Sequence, residues 1–261
     1  MHNKVSLFSL VFLIVAAIDS IRNLPAAALF GSSLPFFFVF SAFIFLIPVA
    51  LFSAEFSSRY PEEGGIFHWV RHAFGEKWAF LSVWLQWINT MVWYPTILFF
   101  IAGTTAYLFD PMLAQNKLFL ILTVLIIFWS LTLLNLKGIR VSAKINSFCA
   151  IIGTITPILF LIGLGVFWIF QNHQTHISFS SNNWIPSFNK SDSWSGLIAI
   201  MASFVGMELS GVHVNDIANP QKNFPKALGL SVFILIFTMF FGALSIAFVL
   251  PEKEIRLVDG I

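Results

Sequence analysis

Seven times along the sequence a run of apolar residues continues long enough to cross a bilayer, and no other feature restricts the fold as severely. A helix needs about 20 apolar residues to span the hydrocarbon core, because each residue adds only about 1.5 Å. Runs of that order fall at residues 5–30, 34–55, 78–108, 118–136, 145–170, 194–216 and 227–250. Composition agrees, since 58% of residues are hydrophobic and only 10% are charged, against about a quarter charged in soluble domains. The chain reads as an all-α integral membrane protein with about seven transmembrane helices.

The same numbers remove several function classes. A formal charge of +2, with no basic run and no phosphate-cradling glycine loop, argues against a nucleic-acid partner. The lone cysteine, Cys149, lies in the fifth run and has no intrachain partner for a disulfide. His68 and His72 are four apart in HWVRH, but the glutamate of a zinc peptidase motif is missing. The expectation is therefore no enzyme, no metal and no cofactor. A cleavable signal peptide built from Lys4, the run from Val5 to Ile18 and the small residues Ala26 and Ala28 is the weaker reading, because charges intervene before the cleavage site.

Orientation follows from lysine and arginine, which accumulate in cytoplasmic loops. With the N-terminus inside, Lys4, Arg59, Arg71, Lys77, Lys137, Arg140, Lys144, Lys222 and Lys226 are cytoplasmic. Lys117, Lys190, Lys253 and Arg256 are then outside. Nine against four predicts a cytoplasmic N-terminus in the inner membrane. In the first inner loop, Phe67, Val70, Phe74 and Trp78 recur at helical spacing, which predicts a short interfacial helix with Arg71 and His72 at the headgroups. Asn182, Asn183, Pro186 and Ser187 mark irregular chain in the loop before span six.

Three ionisable residues stand well inside a span: Asp19, Arg22 and Glu208. Intramembrane charges cost a few kcal/mol at mid-bilayer, so they face a bundle interior or a wet cavity and mark a site by default. Two readings stand for Asp19 and Arg22. They neutralise each other on one helical face, or they belong to a break that Pro25 imposes by removing a donor and crowding the Ile21 carbonyl. Glu208, flanked by Gly206 and Gly211, is either a hydrogen-bonded carboxyl joining two helices or part of a second break. His213 reads as an interfacial polar residue. Trp84, Trp87, Trp93 and Tyr94 in span three serve as interfacial anchors or line a pathway, with Pro95 bending the span beside the last two.

Interrupted first and sixth helices predict a five-span unit repeated with inverted orientation, in which a small molecule binds where the broken helices meet. The first repeat covers residues 1–170, a periplasmic or extracellular loop covers 171–193, and residues 194–261 begin the second repeat with spans six and seven.

SIRNLP in span one, LIPVALFSAEFSSRYPEEGGIFHWVRHAFG across span two and the loop after it, and SFVGMELSGVHVNDIANPQKNFPKAL from span six into span seven resemble the amino acid permeases of the amino acid, polyamine and organocation superfamily. Within it they look most like the bacterial glutamate and γ-aminobutyrate antiporters. As local structure, the EEGG element, Glu62 to Gly65, and the element from Asn219 to Pro225 read as turns between helices. The resemblance implies a LeuT-like inverted-repeat fold, here incomplete, and secondary active transport of amino acids by antiport or proton coupling. It implies that Ile18, Asp19 and Ser20 offer backbone amides to a substrate carboxylate, with Arg22 beside them. Ser203, Phe204 and Gly206 would cover or contact substrate, and Glu208 would gate or couple a proton. The family has about twelve spans, so the resemblance also admits a truncated, transport-inactive chain or a non-transporting membrane sensor. The expected partners are an amino acid such as glutamate, the lipid bilayer, and a second chain supplying the missing helices.

Overall fold

The computed structural model describes residues 5–61, 64–177, 184–186, 191–251 and 254–255, without the side chains of residues 139, 140, 191, 192 and 213. Among the described residues all regular structure is helical, and six apolar helical stretches are long enough to cross a membrane. They are Gly31–Arg59, Glu76–Phe109, Lys117–Asn135, Val141–Phe170, Ser193–Val212 and Pro220–Val249, here spans two to seven. Each begins or ends within a few residues of its predicted run. Span one is absent from that set because it is divided into Leu7–Ile18 and Asn23–Ala28, neither long enough to cross alone.

The helix boundaries have local causes. Ser6 caps the first half of span one by accepting the Ser9 N–H at 3.2 Å. Pro25 does not itself sit at the break. It occupies the first turn of Asn23–Ala28, where the N–H it lacks would have no intrahelical partner, and the break precedes it at residues 19–22. Pro225 likewise lies inside span seven rather than in a turn before it. That helix starts at Pro220, behind Asn219 in the left-handed region at φ 48°, and absorbs the one ladder bond Pro225 removes. Spans two and five each contain a π-helical turn, at Ala42–Leu46 and Ala150–Ile155.

Two compact units contain these elements. Residues 69–142 include spans three and four. Those spans are joined by a short 3-10 turn, Pro111–Gln115, where the Asp110 carboxylate accepts the Met112 N–H at 2.9 Å. Asn116 then caps span four by accepting from Leu118 and Phe119. The amphipathic helix before span three runs Ile66–Phe74, shorter than predicted. Gly75, at φ 89°, separates it from span three, so Trp78 belongs to the span and not to the interfacial helix.

The other unit, the described residues of 5–68 and 143–255, is organised around span seven. Span seven packs against both halves of span one, the end of span two and span five. Its buried positions Phe224, Leu228, Ser231, Leu235, Thr238 and Gly242 recur every three or four residues, the period of one helix face. Lipid supplies no hydrophobic drive between helices, so close packing and interhelical hydrogen bonds carry the association. Ser231, Thr238 and Ser245 each follow the last by seven residues on that face. The Ser231 hydroxyl donates to the Val11 carbonyl in span one at 3.3 Å.

Candidate functional site

The first half of span one ends at Ile18, and its helical bonding closes with the Asp19 N–H donating to the Val15 carbonyl at 2.7 Å. Helical geometry resumes only at Asn23, whose N–H reaches the Ser20 carbonyl at 3.0 Å. Between these points the N–H groups of Ser20 and Ile21 bond to no backbone carbonyl among the described residues. The amides outside the helical ladder thus lie further along than Ile18 and Asp19, whose own N–H groups are still helical, and that of Ser20 faces the Asp19 carboxylate. The chain at residues 19–22 is not helical, so the three-residue spacing of Asp19 and Arg22 does not place them on one helix face.

Asp19 turns instead to span seven. Its Oδ2 lies 2.8 Å from the Thr238 hydroxyl, while Oδ1 is closed off from solvent and has no hydrogen-bond partner. Ser20 and Arg22 are half-buried.

Span six breaks in the same unit. Helix Ser191–Ser203 stops, residues 204–206 turn, and a 3-10 helix, Met207–Asp216, continues. Gly206 permits the turn, with φ 122° and ψ −8°, a conformation that side chains with a Cβ rarely adopt. Glu208, in the first turn of the second segment, reaches back so that its Oε2 accepts the Gly206 N–H at 3.2 Å. A carboxylate there answers both a free donor and the positive end of the helix. Ser203 spends its hydroxyl on the Ile200 carbonyl at 2.7 Å. Phe204 is fully buried, edge-on to Phe38 of span two at 5.8 Å, and Phe38 in turn meets Phe240 of span seven at 5.6 Å.

The two breaks meet. A Cβ on Gly206 would lie 3.4 Å from the Ile18 side chain and 3.6 Å from the Ala17 carbonyl oxygen, ordinary contact distances that put the two chains side by side here. At the other end of the same pair, the Val5 N–H donates to the Asp216 carbonyl at 2.7 Å. The first half of span one and the second half of span six therefore run antiparallel, touching at both ends. Their lengths match: twelve α-helical residues rise about 18 Å, and ten 3-10 residues about 20 Å. Gly65 of the EEGG element packs on the same segment, where a Cβ would sit 3.1 Å from the Val212 nitrogen. Glu62 and Glu63, like the Asn182, Asn183 and Ser187 of the long loop and the His213 side chain, lie outside the described residues.

The residues Thr238, Phe38 and Phe240 had not been read as part of the site. For Thr238 a signal existed in the seven-residue spacing of Ser231, Thr238 and Ser245 along an otherwise apolar span. The aromatic partners Phe38 and Phe240 had none, being two phenylalanines among 32.

A family profile described as amino acid permease matches residues 5–261. The chain belongs to the amino acid permease family. This permease is 42% identical to an uncharacterized transporter of Legionella pneumophila, over all of this chain and 56% of that protein. A glutamate/gamma-aminobutyrate antiporter of Lactococcus lactis subsp. cremoris is 30% identical over all of this chain and 52% of its own length. A probable agmatine/putrescine antiporter of Lactococcus lactis subsp. lactis is 25% identical over 99% of this chain and 54% of its own. The permease chain spans about half the length of the curated relatives it matches. It is an integral membrane member of a transporter family, not of an enzyme family.

Proposed function

We propose that the chain carries the substrate-gripping part of a secondary transporter that moves an amino acid or a related amine across the cytoplasmic membrane by exchange. One observation carries the reading: the breaks of spans one and six abut, Ile18 against Gly206, within a single compact unit. Non-helical backbone at membrane depth persists only where protein or a wet cavity supplies partners, and free N–H groups at a helix start favour an anion.

In this reading the Ile21 N–H receives the substrate carboxylate, with Ser20 beside it, and Arg22 adds charge. Ile18, Asp19 and Phe204 hold the break from behind, and Ser203 and Gly206 form the facing wall. Glu208 works at the gate, since releasing the Gly206 N–H frees the turn that faces span one. Residues 1–170 form the first five-span repeat, residues 171–193 the loop, and residues 194–261 the start of the inverted second repeat. The relatives carry about as much sequence again, and its helices would complete the pathway on the same polypeptide or on a second chain. The excess of lysine and arginine on one set of loops supports a cytoplasmic N-terminus. Names of relatives point to glutamate with γ-aminobutyrate, or agmatine with putrescine, as the exchanged pairs to try first.

The test is binding of labelled glutamate, γ-aminobutyrate, agmatine and putrescine to the purified chain in nanodiscs, followed by exchange in proteoliposomes. Saturable binding of one of them, abolished by Gly206→Leu, is the expected result. Binding absent for all four, or indifferent to changes at residues 18–22 and 203–206, overturns the proposal.

A further inference from the structure

We infer that Asp19 is the proton-carrying group of this permease and that Thr238 reports its state to span seven. The inference rests on the transport reading above and adds the identity of the coupling residue. Asp19 is only 5% exposed, at the point where the first half of span one stops. Its Oδ2 lies 2.8 Å from Thr238 Oγ1, and the same Oγ1 lies 2.8 Å from the Ile234 carbonyl oxygen. A threonine hydroxyl has one hydrogen to donate and lone pairs to accept with. Facing a carboxylate, it must give that hydrogen to Asp19 or to Ile234, not fully to both. Facing a carboxylic acid, it accepts from the Asp19 O–H and donates to Ile234, and both short contacts become hydrogen bonds.

Room decides what else Oδ1 could hold. That oxygen is closed off and unpartnered. A water molecule claims about 30 Å³ of liquid volume and an ammonium group is no smaller, so neither enters without parting the helices. A proton needs no space. The other ionisable groups on the packed elements are differently placed, with Glu55 and Arg59 near the end of span two and Lys144 near the start of span five. Glu208 is half-buried and already holds the Gly206 N–H. Asp216 lies at the far end of the first half of span one, beside Val5. Lys222 and Lys226 are in the first turns of span seven, with Lys226 about 18 Å along the helix from Thr238. Arg22 stands three residues from Asp19, in the turn itself. Asp192 and His213 carry side chains outside the described residues.

The step balances simply: the Asp19 O–H bond breaks, the proton passes to water, and Thr238 swings its hydrogen to the carboxylate. Water must reach the Asp19 carboxyl for this, so proton loss goes with parting of span one from span seven.

Infrared difference spectra of the purified chain in nanodiscs, between acid and alkaline buffer, read the C=O stretch of a protonated carboxyl directly. The band is expected to vanish in Asp19→Asn, to shift in Thr238→Val, to return to its place in Thr238→Ser, and to persist in Glu208→Gln. A band that survives Asp19→Asn, or that ignores Thr238→Val, overturns the inference. Should Asp19→Asn fail to fold, the two Thr238 variants decide it by the same shift. The measurement needs no transport, so absence of exchange with the band behaving as expected counts against the transport reading alone.

Discussion

Gly206→Ala isolates the turn that lets the two broken spans meet. At φ 122° and ψ −8° an alanine is held in a sparsely populated region, which costs about 1–3 kcal/mol. Sterics add little, because the new Cβ would stand 3.4 Å from Ile18 Cγ1 and 3.6 Å from the Ala17 oxygen, ordinary contact distances. Gly229→Ala is the matched control. It lies in the helix of span seven with nothing within 4 Å of its would-be Cβ, and there alanine is favoured over glycine by about 0.5–1 kcal/mol. The two variants should therefore separate by about 1.5–4 kcal/mol, at least roughly tenfold in the ratio of folded to unfolded protein. Equilibrium unfolding in mixed detergent micelles, followed by tryptophan fluorescence, measures this. If the two variants unfold together, residue 206 is not held at positive φ and the meeting of the breaks is wrongly drawn.

Other substitutions test neighbouring contacts. Gly165→Ala would put a Cβ 2.6 Å from the Cβ and Oγ of Ser245, an overpacking cost of about 1–3 kcal/mol; adding Ser245→Gly should restore most of it in the same unfolding titration. Phe204→Ala empties a fully buried position beside Phe38 and should cost about 3–5 kcal/mol. Glu208→Ala should cost about 1 kcal/mol for the lost acceptor, and Glu208→Gln, which keeps a side-chain oxygen for the Gly206 N–H, should recover most of that.

Much of the architecture was legible because bilayer thickness imposes a length on every helix. Spans two to seven lie close to their apolar runs, and the charges at Asp19, Arg22 and Glu208 flagged the two helices that break. Proline was a poorer guide. Pro25 and Pro225 have the fixed φ of a helix and were accommodated near helix starts, so each displaced the expected boundary without setting it. Partnership was least legible. Asp19 and Arg22 are neighbours in sequence, yet the hydrogen bond that orients Asp19 comes from Thr238, 219 residues away. Glu208 has two readings in the sequence, a link to a partner helix or part of a second break, and its hydrogen bond goes two residues back along its own chain. Apolar periodicity ranks faces of a helix but says nothing about which distant face each will meet.

The bond from Val5 to Asp216 gives the pair of half-helices a fulcrum. With Ser6 and Leu7 following at once into a rigid rod about 18 Å long, a slight tilt about that point becomes a swing of ångströms at Asp19. The far end, where Ile18 lies against Gly206, is thus the natural place for small rotations to be magnified, and the anchored end the natural place to suppress them by a single cross-link.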